Sequence, residues 1–117
     1  MAIVNLTPHN VVVFYSDGSA RTFPRTGKVA RVRTYAKEIG NVLEIPVVRV
    51  TYGKIEGLPE QPDGNHYIVS HLVLLAAWKD NHPLLPYLLV PDTSPESVVR
   101  DSDGWILGVR RFVGVRK

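Results

Sequence analysis

The side chains of this chain that are equipped for chemistry are four histidines, a Ser-His pair and two clusters of basic residues. Ser70-His71 precedes an apolar run, so Ser70 suits a helix N-cap. Amides at a helix N-terminus attract anions, and a protonated His71 would assist them. His9 ends the string Asn5-Leu6-Thr7-Pro8-His9, in which Pro8 stiffens the backbone and Asn5 and Thr7 can bond local backbone groups. In Val29-Ala30-Arg31-Val32-Arg33 a strand would set Arg31 and Arg33 on one face. These residues predict a ligand-binding pocket in which His9, Arg31, Arg33, Ser70 and His71 hold an anionic, phosphorylated group.

Other chemistries find less support. Ser70, His71 and Asp92 are the residue types of a hydrolytic triad, but Ser70 sits in Val-Ser-His-Leu without the glycines of a nucleophile elbow. Hydrolysis of a phosphoester or acyl substrate through His9, His71 and Asp92 is therefore a third reading. The chain leans away from enzymes, and no catalytic residue is assigned. Asp101-Ser102-Asp103-Gly104 opens like a calcium loop, yet Phe112 stands where such a loop needs a glutamate, so the segment reads as a hairpin turn. His9, His66, His71 and His82 lack the spacings that put two rings on one face, so neither a metal nor another cofactor is expected. Thr26-Gly27-Lys28 has no P-loop around it. With no cysteine, disulfides, thiolate metal ligation and cysteine nucleophiles are excluded.

Charge is sorted along the chain. Residues 21–37 carry six cations and no acid, residues 38–103 carry ten acids against four cations, and residues 104–117 add Arg110, Arg111, Arg116 and Lys117. An acidic host-protein surface is the other partner that the basic residues suit. The alternative to both is a nucleic-acid-associated protein using Arg21, Arg25, Lys28, Arg110 and Arg111, several of which neighbour aromatic residues able to stack on bases.

The elements that must position these groups fit one domain spanning residues 1–117. The longest apolar stretch, Leu72 to Trp78, is far short of a membrane span, and the first residues read as a strand and not a signal peptide, so a cytoplasmic protein is expected. Asp17-Gly18 supplies a hairpin between Val11–Tyr15 and Ala20–Phe23, and Ser102-Asp103-Gly104 repeats the device near the end. A Gly40-Asn41 turn leads into Val42–Ile45, where Pro46 marks an edge or bulge before the strand Val47–Tyr52. Residues 66–90 read as strand, helix (about 71–81), strand, a parallel crossover if both strands share a sheet. The fold class is α+β: a mixed, strongly twisted sheet or partly open barrel of short strands with one main helix. Edges left unpaired by Pro46 make a homodimer one expected assembly, with the pairing edge left open.

Five strings occur in a characteristic order: Asn5-Leu6-Thr7-Pro8-His9, Pro24 to Val32, Tyr52-Gly53-Lys54-Ile55-Glu56-Gly57-Leu58-Pro59, Tyr67-Ile68-Val69-Ser70, and Val98 to Arg110. Together they resemble a group of small proteins of bacteriophages and prophage-bearing bacteria, of unassigned function, that open with an Asn-Leu-Thr-Pro-His box. The resemblance spans most of the chain, departing around Asn81 to Tyr87 and at Lys117. It implies an accessory protein acting inside a bacterial host cell and carries no catalytic residues.

Overall fold

A computed structural model describes residues 1–115; Arg116 and Lys117 of the basic tail lie outside the described residues. The chain begins with β1 (Ile3–Asn5) and, after the Thr-Pro-His turn, forms a hairpin of β2 (Val11–Phe14) and β3 (Ala20–Phe23). Asp17 closes that turn, its Oδ1 accepting the Ser19 N–H at 2.9 Å and the Ser19 hydroxyl at 2.6 Å. Two long strands follow, β4 (Arg31–Val42) and β5 (Ile45–Glu56), which among the described residues pair only with each other.

β6 (His66–Ile68), α1 (His71–Asp80) and, after a short 3-10 turn, β7 (Leu88–Pro91) form the expected crossover, with β6 and β7 parallel and adjacent. Ser70 caps α1 by accepting the Val73 N–H, and the helix ends at Asp80, one residue before the expected limit, with Asn81 as its left-handed cap. β8 (Val98–Arg100) and β9 (Ile106–Val109) make the second Asp-Gly hairpin, and β10 (Phe112–Val113) completes the described chain. In that hairpin Asp101 Oδ1 accepts the N–H groups of Asp103 and Trp105, the hydrogen bonding of a turn.

The fold is α+β: apart from the β4–β5 pair, the described strands form two mixed four-stranded sheets, ordered β1-β6-β7-β10 and β3-β2-β9-β8, neither closed into a barrel. Alternation along β6 explains the layering. Tyr67 and the following Val69 join the core beneath α1 with Val73, Leu84 and Leu88, whereas Ile68 points oppositely to meet Val13, Phe23 and Val109 of the second sheet. The first sheet is thus buried on both faces.

The β4–β5 hairpin corrects the expectation for residues 40–46. Gly40-Asn41 is not the turn: Asn41 and Val42 remain paired with Pro46 and Ile45, and the chain reverses at Leu43-Glu44, both with positive φ (49° and 66°). Gly40 follows a register irregularity beside Ile39. Pro46 is tolerated because it falls in the pair next to the closing pair, where its missing N–H would have pointed away from β4. The arm projects, giving a radius of gyration of 16.6 Å against roughly 13 Å for a compact chain of this length.

Candidate functional site

The Asn-Leu-Thr-Pro-His turn is organised by a buried amide. Asn5, 1% exposed, donates through Nδ2 to the carbonyls of His9 (2.8 Å) and Phe23 (2.9 Å). Its Oδ1 accepts the Thr7 N–H at 2.9 Å and the Thr7 hydroxyl at 2.7 Å. All four hydrogen-bonding positions of the amide are filled. The Thr26 hydroxyl donates to the Asn5 carbonyl at 3.0 Å, fastening the segment that leads to β4. Asn5 and Thr7 therefore build the turn, and Pro8 and His9 are left exposed on it.

That turn lies against the N-terminus of α1, with a cavity on each side. The larger, about 630 Å³, takes its polar rim from Thr7, His9, Asn10, Ser70, His71 and Thr93. Its walls are apolar, from Val11 and Val12 of β2, Val69, Val90, and Ile106, Leu107 and Val109 of β9. The smaller, about 310 Å³, holds Arg31 with Val32, Leu72 and Val73. Thr7, Pro8 and Ser70 line both and form the wall between them. Ser70 Oγ is occupied by the Val73 N–H at 3.2 Å, whereas helix geometry gives the N–H groups of His71 and Leu72 no partner within the helix.

The anticipated residues thus gather in part. His9, Ser70 and His71 share the larger cavity, and Arg31 lines the smaller one together with Ser70. Arg33 lines neither; it lies at the base of the arm, opposite the irregularity at Gly53-Lys54. The apolar wall from β9 was not anticipated from sequence. Its one signal was the pair Ile106-Leu107, too apolar for the exposed end of a hairpin.

His66 and His82 have other roles. The His66 ring packs edge-on against Tyr87 at 5.6 Å, and His82 Nδ1 accepts the Leu84 N–H at 3.1 Å. Among the described residues, no group of three His, Asp or Glu side chains is arranged to hold a metal ion. No helix among them is long and apolar enough to cross a membrane.

Asp92, the carboxylate of the hydrolytic reading, lines neither cavity. It pairs with Arg111 Nε at 2.5 Å and accepts the Ser94 N–H at 2.9 Å. Hydrogen bonding to Arg111, then to Ser94, holds its carboxyl down at about 2. A folded-state value below the ordinary 3.8 means the pair stabilises the fold above pH 3.8, and that contribution is lost as pH falls to about 2. In Arg111→Ala, the deficit in Tm relative to the parent chain should be full at neutral pH and disappear below about 2; a pH series of melting curves measures it.

The same pairing bears on the nucleic-acid residues. Arg111 is committed to Asp92, and Arg110 Nη1 donates to the Val98 carbonyl at 3.3 Å. The Arg21 guanidinium lies 4.9 Å above the Phe23 ring, while Arg25 and Lys28 are exposed. The two basic segments approach each other at the Phe23–Phe112 contact, 6.2 Å between ring centres.

These features define a small α+β protein with an apolar cavity rimmed by imidazoles beside a helix N-terminus. Comparison of the chain with family models, curated proteins and solved structures finds no match in any of the three.

Proposed function

We propose that the protein is a non-enzymatic binding module that captures an anionic small molecule, with an apolar body and one phosphate or carboxylate group, inside a bacterial host cell. The observation that carries this reading is the 630 Å³ cavity in which apolar walls converge on His9, His71 and the first amides of α1. Concave, largely apolar sites with few polar groups are the usual form of a ligand pocket, and those polar groups are of the kind that bind anions. Arg31, across the shared wall, adds positive charge for a ligand with a second anionic group.

The test is thermal-shift screening against nucleotides, other phosphomonoesters, aryl carboxylates and short DNA. A ligand at a hundredfold excess over its Kd adds about 2.7 kcal/mol of stability, a rise in Tm of roughly 10 °C. His71→Ala and His9→Ala should each weaken a true ligand about tenfold, the scale of one lost charge-assisted hydrogen bond. Shifts unaltered in both variants, or no shift across the panel, would refute capture in this cavity. Stabilisation by DNA alone, with log affinity falling linearly in log salt, would favour the nucleic-acid reading.

A further inference from the structure

The β4–β5 arm exposes apolar side chains that the body does not cover. Val42, Leu43, Ile45, Val48 and Val50 are 46% to 88% exposed, and both faces of the ribbon are involved because successive strand residues alternate sides. Isolated two-stranded ribbons are at best marginal in water, and an apolar surface of this extent marks an interaction site.

The two edges of the arm are unequally protected. β4 carries Arg31, Arg33, Lys37 and Glu38 and is irregular at Ile39, which are devices that discourage strand addition. β5 runs Val47-Val48-Arg49-Val50-Thr51-Tyr52 with one charge and no irregularity. Val42 and Ile45 close a two-residue turn and so exchange hydrogen bonds. Counting from that pair, the N–H groups of Val48, Val50 and Tyr52 point away from β4. No strand among the described residues pairs with that edge.

We propose that β5 pairs antiparallel, over Val47 to Tyr52, with the same edge of a second copy of this chain, giving a four-stranded sheet across a two-fold axis near Val50. Charge supports self-pairing. An axis at Val50 sets Arg49 opposite the partner's Thr51, an axis at Thr51 sets it opposite the partner's Gly53, and cross-strand contacts are otherwise between β-branched and aromatic residues. Only an axis at Arg49 itself opposes like charges. Pro46 limits the paired segment at one end and the Gly53-Lys54 irregularity at the other. With the β4 edges protected, the assembly closes as a dimer and does not grow. Six residues a side span about 20 Å, a small interface, so the dimer should be of micromolar strength and form with concentration.

Sedimentation and light scattering of the full chain over a concentration series test this. The mass should rise from 13.1 kDa toward twice that value. Val50→Lys alters an exposed side chain, leaves the fold intact and brings like charges together at the axis, so it should raise the dimer Kd about tenfold or more. Amide exchange supplies the second readout: in the dimer the N–H groups of Val48, Val50 and Tyr52 slow, and those of Thr34, Ala36 and Glu38 on β4 do not. A mass of 13.1 kDa at every concentration, a dimer indifferent to Val50→Lys, or protection on β4 in place of β5 would each overturn the proposal; the first would leave the edge to a foreign strand.

Discussion

Asn5→Ala is expected to cost about 3 kcal/mol and lower Tm by roughly 10 °C, a large effect for a residue outside the apolar core. The reason is what truncation leaves behind. The carbonyls of His9 and Phe23 lose the Asn5 donor and the Thr7 N–H loses its acceptor, with only the Thr7 hydroxyl keeping a partner in the His9 carbonyl at 3.0 Å, in a region where Asn5 itself is 1% exposed. Each group that water does not reach carries its desolvation penalty. Asn5→Asp separates hydrogen bonding from shape, because the side chain keeps its size but turns an acceptor toward two carbonyl oxygens. Those oxygens oppose ionisation and raise the carboxyl's folded-state pKa above its unfolded value. The variant should therefore be most stable in acid and lose stability as pH rises through the raised value. Urea and thermal unfolding of both variants measure this. A cost under about 1 kcal/mol for Asn5→Ala would mean that the network does not hold the turn, and the cavity rim at His9 would lose its structural basis.

The box that was conspicuous in the sequence thus divides into a folding half and a displayed half. Residue types indicated that Asn5 and Thr7 could bond backbone, but not that Asn5 would reach Phe23, eighteen positions away. Local signals elsewhere were reliable where one residue's stereochemistry decides the outcome: Asp17-Gly18 and Asp103-Gly104 turn, and Ser70 caps. The arm was illegible for the same reason. Its reversal uses Leu43-Glu44, which carries no turn chemistry, while Gly40-Asn41 and Pro46 resemble breakers and lie inside paired strands. The arm joins the core at its base through Val32, Tyr52 and Ile55, but beyond these its apolar residues do not alternate cleanly with polar ones because neither face there rests on the body. That His9 and His71 line one cavity depends on β1 and β6 lying in parallel register, Asn5 beside Ile68, a long-range pairing with no local mark. The division of one expected pocket into two follows from the Thr7-Pro8 backbone passing between them.

Gly57→Ala is expected to cost about 3 kcal/mol through two separate penalties. Gly57 has φ +91°, where a side chain is strained, and an added Cβ would lie 2.7 Å from the Val29 carbonyl oxygen and 3.1 Å from Ala30 Cα. Both neighbours are backbone and cannot swing aside. Gly64→Ala is the control, since Gly64 has φ +87° with nothing within 4 Å of the added atom, so it should cost only the conformational part, about 1 kcal/mol. The difference between the two measures how tightly the base of the arm is pressed against the body. The contact carries inward, for the Ala30 N–H bonds the Leu6 carbonyl and the Leu6 N–H bonds the Ile68 carbonyl, each at 2.9 Å. Displacing residues 29 and 30 therefore strains the segment that delivers Arg31 to the smaller cavity. Binding of a ligand with two anionic groups should weaken in Gly57→Ala and hold in Gly64→Ala, measured well below both melting temperatures. Equal costs at the two glycines would show that the body yields to the added atom, and that arm and cavity are not coupled through this contact.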